Sequence, residues 1–298
     1  MRHGIAIDLH ARASRAEEVA WPRVRDLAVA AERHGLDLVV VPDHLSYHAG
    51  DGHDGYSVPD EAVGVREAMT TAAALAASTT TIRIGHSVVN APYRSPTMVA
   101  HLATTIADIS GGRYSLGIGV GNSYDYDQLG VAADHRTARF EECVTILASL
   151  IRTGVAHLDG NHWRAHHAEL AFAPDDGVRP PLVVAAGGPR SMRVAVRHGD
   201  AWNGWMPTDP DSDEPARLLG LLERTCHELD RDPATIGRTA DLAIDPLDVR
   251  GARARSVAML RALHDLGFDE VRCYTVCEPT HTARMEALEA YATLVSET

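Results

Sequence analysis

Asp43 and His44 directly follow an apolar run in the segment LDLVVVPDH, residues 36–44. The consecutive valines from Val39 to Val41 are typical of a parallel strand that is buried on both faces. Pro42 cannot donate to a β-ladder, so it fits the end of such a strand. In α/β proteins ligands bind beyond the carboxyl ends of the strands, and an imidazole there titrates near neutral pH. The pair is therefore a candidate for proton chemistry, while a helix cap or an ordinary loop is the alternative interpretation.

A second candidate is the glycine pair Gly187–Gly188 in the segment LVVAAGGPRS. An apolar strand runs into the pair, and Pro189 follows as expected for the first turn of a helix. Two glycines let backbone N–H groups approach an anion closely, and a helix N-terminus adds partial positive charge. Barrel enzymes often hold phosphate in their late loops. The pair thus predicts a phosphate site, with a simple tight turn as the alternative.

Apolar strands alternate with helix-length segments along the whole chain. The predicted strands are GIAID (4–8), LDLVVVPDH (36–44), TIRIGHSVVN (81–90), RYSLGIGVG (113–121), PPLVVAAGG (180–188), DAWNGW (200–205), DLAID (241–245) and VRCYTV (271–276). Such alternation, with hardly any hairpin signal, predicts a parallel sheet. About eight units in 298 residues favour a closed (β/α)8 TIM barrel over an open sheet.

Two further features complete the predicted architecture. The helix in SPTMVAHLATTIADISGG (95–112) has an apolar face that we assign to Met98, Val99, Leu102, Ile106 and Ile109. The stretch 154–180 is too long for a simple loop, so we expect an excursion of short strands, inserted between helix four and strand five. We predict that residues 1–298 form a single domain.

Polar residues and glycines collect where the predicted strands end. They are Asp43–His44, His86–Asn90, Gly119–Ser123, Ala186–Gly188, Asn203 and Trp205. Because the carboxyl ends of parallel strands meet at one end of a barrel, this set predicts an active-site mouth. The GxGxG pattern at 117–121 lacks the GxGxxG spacing and a helix directly after it, so it does not indicate a Rossmann site.

The bulk composition excludes several classes of protein. The net charge of −13 argues against nucleic acid as a partner, since such proteins carry a basic face. All 28 basic residues are arginine. No apolar run is long enough for a transmembrane helix, so no membrane association is expected. No secretory signal pattern is visible, and the four cysteines form no CxxC pair. We expect a cytoplasmic protein with reduced, structural thiols.

The chain contains 17 histidines, which raises the question of a metal site. Barrel hydrolases that bind zinc usually carry two ligands on the first strand, but here only His10 lies beside Asp8. The HxxxHH pattern at 162–167 has helical spacing, yet the preceding DGNHW reads as a turn. We expect no metal, and keep a metal-dependent hydrolase as the least favoured alternative.

Five stretches of the chain together resemble the luciferase-like monooxygenase superfamily of flavin and deazaflavin (coenzyme F420) oxidoreductases. They are GIAID, LDLVVVPDH, TIRIGHSVVNAPYRSP, ISGGRYSLGIGVGN and LVVAAGGPRSMRVAVRHGDAWNG, which cover about residues 1 to 205. The resemblance implies a (β/α)8 barrel with an insertion, in agreement with the strand count.

The resemblance also implies a set of cofactor-binding residues. A non-proline cis peptide, here Ser87–Val88, would lie behind the ring of the cofactor, and Asn90 would contact the polar edge of the ring. The backbone of Gly187 and Gly188 would hold the cofactor phosphate. The remaining members of the implied set are Gly121, Asn122, Ala186, Arg190 and Ser191.

Asp43–His44 resembles the Asp-His pair of the F420-dependent branch, whereas the flavin-dependent branch more often has Glu-His-His. The resemblance implies that His44 lies over the ring and exchanges the proton that accompanies hydride transfer. It implies that Asp43 bonds the ring or orients the histidine. Three alternatives stay open: an FMN-dependent monooxygenase, a cofactor-binding protein without turnover, and a His44 that contacts the cofactor without a proton role.

The chain departs from the F420-dependent sugar-phosphate dehydrogenases of this superfamily at several positions. They carry a glutamate where this chain has Asn122 and an aromatic residue where it has His48. Their substrate-phosphate lysines correspond to TDPDSDEP (208–215), which is strongly acidic. We therefore expect a small-molecule substrate other than a sugar phosphate, with His48 and Trp205 as candidate contacts. Relatives are often dimers, so a homodimer is expected.

Overall fold

The structure, a computed structural model, describes residues 1–45, 63–121, 126–171 and 178–296. Its β-strands are β1 Arg2–Ala6, β2 His10–Arg12, β3 Leu38–Val41, β4 Val63–Val65, β5 Arg83–His86, β6 Val89–Asn90, β7 Tyr114–Gly119, β8 Val155–Asp159, β9 Arg164–Glu169, β10 Leu182–Ala185, β11 Ala201–Trp205, β12 Gly237–Ile244 and β13 Glu270–Thr275. Its α-helices are α1 Trp21–Arg33, α2 Ala68–Ser78, α3 Pro96–Ile109, α4 Tyr126–Leu129, α5 Arg136–Thr153, α6 Pro189–His198, α7 Glu214–Glu228, α8 Arg253–Asp265 and α9 His281–Ser296.

Eight of these strands close into a parallel barrel. Their order is β1-β3-β5-β7-β10-β11-β12-β13, and β13 pairs with β1 to complete the ring. The short strand β6 continues the path of β5 and pairs with the end of β7. Helices lie between consecutive barrel strands. The predicted (β/α)8 barrel is confirmed.

Two small antiparallel sheets lie outside the barrel. β8 and β9 form a hairpin between α5 and β10, with an irregular register between Ala156 and Leu158. α5 and β10 correspond to helix four and strand five of the sequence-based prediction, so this hairpin is the predicted insertion. β2 pairs with β4 at the carboxyl end of β1, and the sequence did not predict this pair. Both strands have three residues, too few to show a period.

The ends of the helices follow their capping residues. Ser95 accepts a hydrogen bond from the Met98 amide at 3.3 Å, and Pro96 occupies the first turn of α3. The helix stops before Gly111 and Gly112, which both have positive φ. No helix in the described ranges combines the length and apolar character needed to cross a membrane.

Two details of the sequence-based assignment are wrong. The face of α3 that packs on the barrel contains Val99, Ala103 and Ile106, whereas Met98 and Ile109 are 54% and 45% exposed. Alanines on the buried face let the helix approach the sheet closely, but they are only weakly hydrophobic. The predicted face was therefore drawn toward the larger apolar residues, two of which are exposed. Two predicted strands also have different bounds: the first strand lies at Arg2–Ala6 rather than at 4–8, and the strand predicted at 241–245 lies at Gly237–Ile244.

Candidate active site

The carboxyl ends of the barrel strands bring the predicted site segments together. Asp43–His44 follow β3, residues 87–90 follow β5, Gly121 follows β7, Ala186–Gly188 follow β10, and Trp205 ends β11. Because all eight strands are parallel, these segments surround one mouth. Two other predicted site residues, His48 and Asn122, lie outside the described residues.

The carboxylate of Asp43 is fully engaged by protein groups. Its side chain is completely buried and accepts two hydrogen bonds from the Arg94 guanidinium, at 2.7 and 3.0 Å. It also accepts the backbone N–H of Asn90 at 2.9 Å. Asp43 therefore ties the segment after β5 to the end of β3. A direct role of Asp43 toward the ring or toward His44 stays a prediction.

Arg94, which the sequence analysis missed, links Asp43 to a helix. Its guanidinium also donates to Glu67 at 2.5 Å, and Glu67 caps α2 by accepting the amides of Met69 and Thr70. Burial lowers the pKa of Arg94, but the hydrogen bonds and charges of Asp43 and Glu67 outweigh it, so the pKa is raised overall. The only sequence signal for this role is an arginine four residues after a strand-end asparagine.

His44 is half-buried at the end of β3. It lies close enough to His10 for the two rings to interact electrostatically. Burial is the main cause that lowers the pKa of His10; Asp8 opposes this shift, and Arg284 and His44 add to it. The His10 Nδ1 atom lies 3.8 Å from Asp8 Oδ1. The charge of His44 thus affects the protonation of a second imidazole, that of His10.

The GxGxG pattern of β7 makes room for the segment that follows β5. A Cβ atom on Gly117 would overlap the carbonyl oxygen of His86, and one on Gly119 would lie 2.5 Å from Val88 Cγ2. The peptide bond between Ser87 and Val88 is cis, as the resemblance implied. The glycines therefore serve close packing of two adjacent segments.

Asn90 presents an atom that a bound cofactor could satisfy. The residue is 3% exposed, and its side-chain oxygen has no hydrogen-bond partner in the described part of the chain. Gly121, with a φ of +78°, lies directly against this side chain, and a Cβ there would overlap the amide. A buried acceptor without a donor is costly. The N–H groups at the polar edge of a flavin-like ring fit this requirement.

The backbone at Gly187 and Gly188 is open toward solvent. A Cβ atom built on either glycine would meet no atom within 4 Å. α6 begins directly afterwards, so the N–H groups of its first turn are available to an anion. The Ser191 hydroxyl accepts the Gly188 N–H at 3.3 Å and closes this turn, while Arg190 is exposed beside it. Ala186 is held in the sheet through its N–H, which donates to Asn203 at 3.0 Å. This cradle fits a phosphate.

An aromatic pair lies at the mouth on the side of β11 and β13. Trp205 is 58% exposed, and its ring centroid lies 5.2 Å from that of Tyr274, with an angle of 54° between the rings. The Tyr274 hydroxyl donates to the Ser87 carbonyl oxygen at 2.6 Å. Tyr274 was not singled out from the sequence. The pair could pack against a planar substrate or ring.

The described ranges contain no group of three His, Cys, Asp or Glu side chains that could hold a metal ion. The histidines of the insertion do approach one another, with His157 5.8 Å from His166 and 5.2 Å from His167 between ring centroids. These three side chains are exposed on the hairpin.

The parallel barrel brings an open glycine turn and a strand-end histidine to one mouth. Residues 1–246 match the family model described as luciferase-like monooxygenase. The chain belongs to this family, as the resemblance implied.

Similar proteins are found both among curated relatives and among solved structures. The F420-dependent glucose-6-phosphate dehydrogenase of Mycobacterium avium is 35% identical over 196 residues, which are 63% of this chain and 54% of that protein. The chain thus spans about half the length of this relative. The coenzyme F420 dependent tetrahydromethanopterin reductase of Methanopyrus kandleri superposes with a TM-score of 0.75 at 14% identity, over 99% of this chain and 98% of that one. An F420-dependent secondary alcohol dehydrogenase, solved with an F420-acetone adduct, gives a TM-score of 0.73 at 16% identity with the same coverage. At such identities the two structures establish the fold alone.

Proposed function

We propose that this protein is an F420-dependent oxidoreductase that transfers hydride between C5 of the deazaflavin and a small organic substrate. The observation that carries the proposal is the meeting of three features at one end of the barrel: a strand-end histidine, a buried amide acceptor and an open glycine cradle. The F420-dependent relatives support F420 over FMN as the cofactor. When bound, F420 would supply the hydride chemistry, and the protein would supply binding, orientation and shielding.

The chain offers distinct groups for the two ends of the cofactor. The Gly187 N–H and the N–H groups in the first turn of α6 would bind the phosphate, while Gly188 leaves space for it and Arg190 adds a flexible cationic support. The Asn90 side chain would accept a hydrogen bond from the ring edge. Gly121 would let the ring approach, and Asn122, which lies outside the described residues, is proposed to contact it.

His44 is proposed as the proton donor or acceptor that accompanies hydride transfer. Its position at the end of β3 gives it access to the mouth, and its partial burial limits competition from water. His10 would influence this proton transfer through its charge, because the two rings interact.

The substrate is proposed to be neutral or cationic rather than phosphorylated. The segment after β11 carries Asp209, Asp211, Asp213 and Glu214, and it follows directly from the strand end that bears Trp205. A phosphate group would be repelled there. Trp205 and the Tyr274 ring beside it could contact an apolar or planar group, and His48 stays a candidate contact outside the described residues. The relatives' glucose 6-phosphate is accordingly not proposed as the substrate.

Titration of the purified protein with F420 and, separately, with FMN, followed by fluorescence, tests the proposal. Tight F420 binding without FMN binding is the expected result. A preference for FMN, with NAD(P)H-dependent oxygen uptake, would replace the proposal with the monooxygenase alternative. Binding without turnover over a broad substrate panel would favour a cofactor-binding protein. Binding of neither cofactor would contradict the proposal, and elemental analysis would then test the metal hydrolase.

A cytoplasmic homodimer is also proposed, which light scattering and cell fractionation would check.

A further inference from the structure

Ser87 is held at two atoms by residues from two other barrel strands. The Tyr274 hydroxyl on β13 donates to its carbonyl oxygen at 2.6 Å. Its own hydroxyl donates to Oδ2 of Asp241 on β12. Both contacts thus connect the end of β5 to strands that are far from it in the sequence. Side chains from β12 and β13 therefore fix the backbone at Ser87, on which the proposed cofactor ring would lie.

Asp241 receives a second neutral donor on the same oxygen. The Asn203 side-chain N–H donates to Asp241 Oδ2 at 2.8 Å, and the Thr239 hydroxyl donates to the Asn203 side-chain oxygen at 2.7 Å. The Thr239 hydroxyl also lies 3.0 Å from the Trp202 carbonyl oxygen and shares its one proton between the two acceptors. The other carboxyl oxygen, Oδ1, has no partner in the described part of the chain.

Among the described residues, the Asp241 carboxyl bonds Ser87 and Asn203 but no arginine or histidine. Arg272, its partner in register on β13, donates instead to Glu270 at 3.0 Å, and Glu270 also pairs with Arg83. Burial is the largest cause that raises the pKa of Asp241, and Glu270 adds to it, while Arg272 and the two hydrogen bonds oppose it. A buried acid with neutral donors and one unsatisfied oxygen stabilises a barrel less than an apolar residue of similar size would. The hydrogen bonds that Asp241 makes, rather than a gain in stability, therefore explain why an aspartate occupies this position.

We infer that Asp241 is a positioning residue, which holds Ser87 and thereby the 87–90 segment in the geometry that receives the cofactor ring. This inference rests on the proposed function for the identity of the cofactor. What Asp241 supplies is an oxygen acceptor at a fixed point in the barrel interior. A neutral side chain with the same acceptor would serve equally.

The test compares Asp241→Ala with Asp241→Asn and Ser87→Ala. Loss of one hydrogen bond that orders the ring's support should weaken F420 binding about tenfold in Asp241→Ala. Asp241→Asn keeps an oxygen acceptor, so its affinity should stay within about threefold of the original protein. Ser87→Ala should match Asp241→Ala, and the double variant should be no weaker than either single one.

Asp245→Ala is the matched control. Asp245 is equally buried just after β12, but its oxygens accept the backbone amides of Val249 and Arg250 at 2.8 and 2.7 Å. This variant should lose thermal stability without losing F420 affinity. Full affinity in Asp241→Ala, or failure of Asp241→Asn to restore affinity, would overturn the inference.

Amide hydrogen exchange of the 83–94 region without cofactor gives a second readout. Protection of the 86–90 amides should fall in Asp241→Ala and Ser87→Ala, but not in Asp245→Ala. If the original protein does not bind F420, the proposed function fails, while this exchange pattern still decides whether Asp241 holds the segment. Unchanged protection in Asp241→Ala would refute the positioning role.

Discussion

Arg94 holds Asp43 through two hydrogen bonds of 2.7 and 3.0 Å at the carboxyl end of the barrel. The Arg94 side chain is 14% exposed and that of Asp43 is not exposed at all. The pair fixes the junction between the proposed proton donor at β3 and the proposed ring support after β5, because Asp43 also accepts the Asn90 amide. The geometry of the site thus depends on a buried ion pair.

Replacing Arg94 by Ala should lower the free energy of unfolding by about 3–5 kcal/mol, since it leaves the buried Asp43 carboxylate without its charge partner. Urea denaturation at pH 7 measures this change. Arg193→Ala, which breaks the exposed pair of Arg193 with Glu228, is the control and should cost no more than about 1 kcal/mol. Equal effects of the two variants would contradict the structural role of Arg94.

Replacing His44 by Ala should leave the F420 dissociation constant within a few-fold of its original value, because the proposed phosphate site lies at the end of another strand, β10. Turnover should fall about 10²–10⁴-fold, as expected for a lost general acid or base. Added imidazole should restore part of the rate. Stopped-flow measurement of F420 absorbance separates binding from turnover, and His34→Ala, at an exposed helix end, is the control. Full turnover in His44→Ala would leave the histidine as a cofactor contact without a proton role.

Substitutions at Gly188 should weaken F420 binding in proportion to side-chain size. The residue has a φ of −129°, which any L-residue adopts, and its Cβ would meet no protein atom. The melting temperature should therefore change little across Ala, Val and Leu, while affinity falls progressively because the side chain fills the phosphate cradle. Equal affinity in all three variants would remove the cradle from the cofactor site.

Acidification should destabilise the protein between pH 6.5 and 4 through His86, which is buried, and His198, which is half-buried. Burial lowers the pKa of His86 and of His198 to about 4. Between that value and the ordinary histidine pKa the unfolded chain binds more protons than the folded one, so the free energy of unfolding falls as pH falls. For the fully buried His86 the loss is about 3 kcal/mol at pH 4.

Urea denaturation at pH 4.5, 5.5 and 7 measures this dependence. His86→Gln keeps a partner for Tyr114, which lies 2.8 Å from His86 Nδ1, and should show a shallower loss of stability on acidification. His101→Gln, on the exposed face of α3, is the control and should follow the original protein. An unchanged slope in His86→Gln would show that this histidine does not titrate on unfolding.

The sequence by itself determined the barrel and the place of its mouth. Buried parallel strands such as Val39–Val41 are apolar without interruption, and the first polar residue after each one marks a carboxyl end. The glycine pair at 187–188 was predicted from local chemistry alone, because a strand, two glycines and a helix-starting proline occur in one continuous segment. The family likewise followed from short contiguous stretches in a fixed order.

Only the tertiary structure decided which residues hold those segments in place. Arg94, Asp241 and Tyr274 act on Asp43 and Ser87 across gaps of 51, 154 and 187 residues. Such contacts leave no local period or spacing in the sequence. The GxGxG pattern is a further example. Its glycines can be recognised in the sequence, but their role depends on which segment packs against β7. Local sequence encodes where each strand ends, whereas the partner of each side chain is set by the closure of the barrel.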